Sequence, residues 1–147
     1  MELLIQTKLV REGARLPSFQ TSGAAGADIY ACIPEPIQIG AAETVCIPSG
    51  VAVEIPEGYA GFIFGRSGVA VREGLAPANK VGLIDSDYRG ELMICLHNHS
   101  RMQYTVKPGE RVAQLVIVPV AAARYVQCAS LSETERGENG FGSTGRS

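Results

Sequence analysis

Glycine and proline interrupt this chain so evenly that no long helix fits between them. There are 17 Gly and 8 Pro in 147 residues, scattered from end to end. Inside a helix each Gly costs about 1 kcal/mol and each Pro about 3 kcal/mol relative to Ala. Between them lie short apolar or alternating runs: "TVCIPSGVAVEIP", "YAGFIFG", "VGLID", "ELMICLHN", "QYTVKP" and "RVAQLVIVPV". These runs are rich in Val, Ile and aromatic residues and have the length of strands. In "ELMICLHN", Leu92, Ile94 and Leu96 alternate with Met93, Cys95 and His97, the two-residue period of a pleated strand with one buried face. "KPGE" supplies a turn in which Gly109 is free to take positive φ. The expected fold is all-β, a jelly-roll-like β-barrel or sandwich. One segment breaks the pattern: "RSGVAVREG" runs from a Ser-Gly start to Gly74 and predicts a single short helix.

The length is that of one domain, read as a core over 1–135 followed by a Gly-rich arm over 136–147. A net charge of −2 argues against non-specific nucleic-acid binding, which needs a broad basic surface. It leaves room for a small anionic ligand held by a few well-placed arginines. Cys32, Cys46, Cys95 and Cys128 form no CxxC pair and have apolar neighbours, which predicts buried free thiols rather than disulfides or zinc ligands. The apolar start "MELLIQTKLVREG" is broken by charged residues, unlike a signal or transit peptide. No run is long enough for a membrane span, so the chain is expected to be soluble and cytoplasmic.

Several segments carry residues with chemical potential, and each also has a plain structural reading. "GFIFGRSGVA" sets Arg66, Ser67 and Gly68 after a strand and before the predicted helix. Backbone N–H groups there could bind phosphate, or Ser67 could simply cap the turn. "VGLIDSDYRGEL" holds Asp85 and Asp87, followed by Tyr88 and Arg89. A carboxylate at the end of an apolar strand can act as a general base toward a water, whereas a hairpin tip would leave both acids solvated. "TSGAAGADIYA" places Asp28 after small residues that let backbone approach a ligand, or it is a loop entering a strand. Gln114 in "GERVAQLV" puts an amide in an apolar strand, where it needs a partner from the core or from a ligand. His97 and His99 in "LHNHS" lack metal-ligand spacing. The tail "RGENGFGSTGRS" offers one aromatic anchor, Phe141; it is either a solvated end or a segment that orders around a ligand.

Taken in order, "AGADIYA", "GRSG", "GLIDSDYRGE", "GERVAQLV" and "RGENGFGSTG" resemble the five motifs of the homotrimeric dUTPases. The resemblance runs from about Ala25 to Gly145. It implies a trimer with sites shared between subunits that hydrolyses dUTP to dUMP and pyrophosphate with Mg²⁺. Such an enzyme limits uracil in DNA and supplies dUMP for thymidylate synthesis. By motif match, Asp85 is the general base that activates a water for in-line attack at the α-phosphorus. Tyr88 packs under the deoxyribose, and Asn79 with the backbone of Leu83, Ile84 and Met93 reads uracil from a hairpin. Arg66, Ser67, Gly68 and Gln114 bind phosphate, and Asp28 lies in the outer shell of Mg²⁺ with no direct protein ligand. The arm becomes a lid, with Phe141 stacking on uracil and Arg136, Ser143 and Thr144 on the terminal phosphates. Two positions depart from the usual pattern: Gly65 stands where the family has Pro, and Asn139-Gly140 replaces Gly-Gly before the Phe. The related dCTP deaminases share the fold but need an acid/base group aimed at the pyrimidine C4, where this chain has "IDSDYRG". A nucleotide-sensing role is the other reading, and the intact Asp85 speaks for turnover.

Overall fold

The structure is a computed structural model that describes residues 2–140. Ten strands follow in chain order: β1 (Gln6–Leu9), β2 (Ala27–Tyr30), β3 (Ile37–Ile39), β4 (Thr44–Glu54), β5 (Tyr59–Phe64), β6 (Leu75–Pro77), β7 (Gly82–Ile84), β8 (Glu91–Asn98), β9 (Tyr104–Val106) and β10 (Arg111–Pro119). They form two four-stranded antiparallel sheets, ordered β1-β4-β8-β6 and β2-β10-β5-β7, and a ribbon of β3 with β9. The all-β jelly-roll expectation holds. Every quoted apolar run contains a strand, and the predicted helix is a five-residue π-helical turn, Val69–Glu73, closed by Gly74 at φ 74°.

The alternation in β8 orients the first sheet. Leu92, Ile94 and Leu96 are buried; Ile94 stands opposite Ile47 of β4, and Val51 and Val53 of that strand share the same core. Ile29, Val112 and Leu115 from the second sheet complete the core with Leu75, Ile39 and Val106. Burial of each such side chain contributes roughly 1.5–3 kcal/mol, so both sheets are held by one shared apolar layer. Asn98, fully buried, donates from Nδ2 to the carbonyls of Ile39 (2.9 Å) and Met102 (2.7 Å), which ties the ribbon to the end of β8. Gly109 adopts φ 74° as the "KPGE" turn requires.

The cysteine expectation is corrected at three positions, Cys46, Cys95 and Cys128. Cys46 of β4 and Cys95 of β8 stand directly opposite one another on the outward face and are joined as a disulfide. Their 49-residue separation concealed a pairing that only strand register creates. Cys32 and Cys128 are free thiols, and Cys128 is exposed rather than buried. No helix among the described residues is long and apolar enough to cross a membrane.

Candidate functional site

The central strand β10 assembles the first group of candidates. Gln114 lies opposite Asp28 of β2 on one side and Phe64 of β5 on the other. Arg66 follows the end of β5, so three distant motifs converge on one corner. The Asp28 carboxylate is buried, and it accepts from Arg66 Nε at 3.0 Å and Arg111 Nη1 at 3.1 Å. A buried carboxylate needs such pairing to remain charged. Two guanidiniums against one carboxylate leave a positive excess facing the half-exposed end of the corner, a field that favours anions. Arg66 also donates to the Arg111 carbonyl at 3.3 Å, and Gln114 Nε2 donates to the Gly65 carbonyl at 2.9 Å. Ser67 and Gly68 are exposed beside them. The π-helical turn after them is too short to supply much of a helix dipole, so the anion preference rests on the arginines.

Arg111 is a member that sequence reasoning missed. Strand period places residues 111 and 114 on opposite faces. A register shift between Arg111 and Ala113 inserts one residue and returns both side chains to the same face, as a β-bulge does. Gly65, the departure from the family residue, packs against Pro77; a Cβ there would meet Pro77 Cδ at 3.2 Å.

The second group lies where β7 ends and β8 begins. A cavity of about 180 Å³ is lined by Leu83, Ile84, Asp85, Tyr88, Glu91, Leu92 and Met93, enough for a ring-sized group. β7 stops at Ile84, so Asp85 and Asp87 occupy a turn rather than one face of a strand. The strands on either side hydrogen-bond into different sheets. The expected uracil-reading hairpin is therefore a corner between sheets, because β5 and β6 capture the two strands separately. Asp85 is exposed, its carbonyl accepting the Tyr88 N–H at 3.1 Å. The Tyr88 hydroxyl donates to the Glu91 carbonyl at 3.0 Å. Its ring covers Gly90 so closely that a Cβ there would overlap it. Asn79 is exposed in the turn before β7, its side-chain nitrogen near Gly82.

Within the chain the two groups lie toward opposite ends of β5. Gly61 pairs with Ile84, which sets Asp85 beside Ala60, and the two residues line one cleft. Arg66 lies six residues further along, roughly 20 Å of extended backbone. Arg136 is exposed and donates from Nε to the Asn139 carbonyl at 2.9 Å. Phe141, Ser143 and Thr144 lie outside the described residues. Among the described residues no group of three or more His, Cys, Asp or Glu is arranged to hold a metal. His97 instead pairs through Nδ1 with the Thr44 hydroxyl at 2.9 Å.

Glu91 is the second residue the sequence reading passed over, hidden in "YRGEL" as an ordinary charged strand start. Its carboxylate takes a bidentate pair from Arg11 (2.6 and 3.0 Å) and the Gly50 N–H at 2.8 Å. The Arg11 hydrogen bond holds the Glu91 pKa below its ordinary 4.5 against the opposing effect of burial, with the Gly50 amide and the Arg11 charge adding to the lowering. The contribution to stability is therefore fully present above about pH 4.5 and is lost as pH falls through the lower folded value. The melting temperature of the protein is expected to drop more steeply below about pH 4.5 than that of Glu91→Gln. Calorimetry across that range checks it, and parallel curves would show that the pair contributes nothing.

Fold and geometry together define an all-β domain with an arginine-rich corner and a small pocket edged by an exposed carboxylate, a framework suited to a phosphorylated small molecule. The dUTPase family model matches residues 12–145. Among curated relatives, the deoxyuridine 5′-triphosphate nucleotidohydrolase of Leptothrix cholodnii is 46% identical, covering 99% of both chains. That of Fusobacterium nucleatum is 43% identical over 97% of this chain and 98% of its own. A dUTPase of Staphylococcus bacteriophage 80alpha, solved with dUpNHpp, superposes with a TM-score of 0.89 at 33% identity, covering 97% of this chain and 99% of that one. A variant dUTPase of phage phi11, described as revealing the coordination of a structural Mg(II) ion, superposes at 0.79 with 29% identity, covering 87% and 98%. The chain belongs to the dUTPase family and is an enzyme, a dUTP nucleotidohydrolase.

Proposed function

We propose that this enzyme converts dUTP and water to dUMP and pyrophosphate by in-line attack at the α-phosphorus, with Asp85 as general base. The observation that carries the reading is the small pocket that joins Asp85 to Tyr88, Leu83, Ile84 and Met93. Asp85 takes a proton from the water as its oxygen bonds to the α-phosphorus. The bond to the bridging oxygen breaks on the opposite side, and pyrophosphate leaves with the electron pair. No protein nucleophile is needed, so positioning and charge stabilisation dominate. Tyr88 lies under the deoxyribose, where a ribose 2′-hydroxyl would collide. Asn79 and the backbone of residues 83, 84 and 93 offer uracil a fixed pattern of donors and acceptors. Cytosine presents an amino donor where uracil presents an acceptor, leaving buried groups unpaired.

Arg66, Ser67, Gly68 and Gln114 hold the phosphates, and the Asp28–Arg111 pair supports Arg66. Asp28 suits an outer-shell role toward Mg²⁺: a carboxylate has about four acceptor positions, and two carry guanidinium bonds here. Asp28 would hold Mg²⁺ through water molecules, and the ion would supply neutralisation of negative charge on the triphosphate.

Asp85 lies beside Ala60 near the start of β5, and Arg66 lies just past its end at Phe64. A complete site therefore draws the two groups from different subunits, and a homotrimer supplies them. The segment after β10 supports that assembly: Tyr125, Val126 and Leu131 are 95%, 71% and 86% exposed. An apolar groove edged by Leu3, Leu16, Phe19 and Ile117 is available to a neighbouring chain. The arm over residues 136–147 closes the site, with Arg136, Ser143 and Thr144 on phosphate and Phe141 on uracil. The cytoplasm is the compartment we assign, and the cellular roles are limiting uracil in DNA and supplying dUMP for thymidylate synthesis.

Phosphorus NMR with Mg²⁺ and, separately, dUTP, UTP, dCTP and dTTP tests the reading. Pyrophosphate and monophosphate should form rapidly from dUTP alone. Absence of pyrophosphate would replace turnover by nucleotide sensing, and ammonia released from dCTP would mark a deaminase.

A further inference from the structure

We infer that Glu91 is a positioning residue for sugar selection, fixing Tyr88 through a clamp between the N-terminal segment, the β4 bulge and the start of β8. The inference rests on the deoxyribose role given to Tyr88 above. Glu91 begins β8 and lines the nucleoside cavity. Its main-chain carbonyl is the acceptor that holds the Tyr88 hydroxyl. Where that carbonyl sits is decided by the carboxylate on the same residue, which is bound at three points from two distant segments. Arg11 grips it with both Nε and Nη2, and the Gly50 N–H donates to Oε1.

Gly50 is a demanding partner. It adopts φ 70°, and a Cβ there would meet the Ala14 Cβ at 2.5 Å and the Cys32 sulfur at 3.0 Å. Its carbonyl accepts the Val10 N–H at 2.8 Å. The β4–β8 register breaks between Pro48 and Ala52 and resumes with Ala52 opposite Glu91. In that gap the Glu91 carboxylate takes the place of a ladder partner for the buried Gly50 amide. The 85–90 turn, bearing Asp85 and Tyr88, must therefore land on a fixed point. With the carboxylate removed, a buried N–H loses its partner, Arg11 is released and the landing point shifts. Such displacement weakens Tyr88 contact with the sugar more than it disturbs Asp85, which sits at the other end of the turn, directly after β7.

The test is the ratio of kcat/KM for dUTP over UTP. In Glu91→Ala the ratio should fall about tenfold, mostly through a higher KM for dUTP. Glu91→Gln keeps an acceptor for Gly50 and Arg11 and should hold the ratio within about threefold of the parent. Arg11→Ala, at a half-exposed position, should lower it in the same direction and decides the matter if Glu91→Ala does not fold. Tyr88→Phe removes the hydroxyl that Glu91 holds, so adding Glu91→Ala to it should change the ratio no further. Additive losses, or an unchanged ratio in folded Glu91→Ala and Arg11→Ala, would overturn the inference. Tyr88→Ala separates the two levels: an intact ratio there defeats the sugar role of Tyr88 itself, whereas a collapsed ratio beside an intact Glu91→Ala defeats the clamp alone.

Discussion

Asp85→Asn is expected to reduce kcat for dUTP by about 10²–10⁴-fold, the range a positioned general base supplies, while leaving dUTP affinity close to that of the parent. Asn matches the shape of Asp and can still orient a water, but it cannot take the proton. Asp85 is exposed in a turn, so its loss removes no core contact and the melting temperature should stay put. Steady-state kinetics with equilibrium binding of a non-hydrolysable dUTP analogue separate the two effects. Near-normal turnover would remove Asp85 from the base role. The same variant probes the shared site. Asp85→Asn chains and Arg66→Ala chains, each nearly inactive alone, should regain part of the activity when mixed under subunit exchange. A mixed trimer would then pair an intact pocket from one chain with an intact phosphate corner from another. No recovery would mean that each chain completes its own site.

Deleting residues 136–147 is expected to leave a folded protein whose dUTP turnover falls on the order of 10²-fold, the scale of a mispositioned substrate. The β10 strand ends at Pro119, and residues 121–140 are exposed and form no further strand or helix. The described part of the deleted piece, residues 136–140, belongs to neither sheet nor to the core. The loss should appear in kcat as well as KM, because lid closure excludes water and fixes the triphosphate for attack. Unchanged circular dichroism and thermal unfolding beside reduced turnover is the predicted pair of results. A truncated enzyme with full activity would end the lid assignment.

Local pattern carried much of this protein. Frequent Gly and Pro forbade long helices, and alternation in "ELMICLHN" correctly sent Leu92, Ile94 and Leu96 to the core. Those are short-range properties, set by backbone sterics and the two-residue period of a strand, so they can be read without knowing any partner. The motif order "AGADIYA" to "RGENGFGSTG" likewise pointed to the family that the comparisons established. What the chain could not disclose was register. A one-residue bulge in β10 turns Arg111 onto the face of Gln114 and Asp28. Pairing of β4 with β8 brings Cys46 onto Cys95 and sets Glu91 against Gly50. Capture of β7 and β8 by different sheets changes a hairpin into a corner, and pairing of β7 with β5 sets Asp85 at the opposite end of β5 from Arg66. Each depends on which strands meet, and at which residue, between segments well separated in sequence. That choice is made by packing two sheets over one core, which is why the tertiary structure alone decided the Glu91–Arg11–Gly50 bonds, the arginine pair on Asp28 and the placement of Asp85 and Arg66 toward opposite ends of β5.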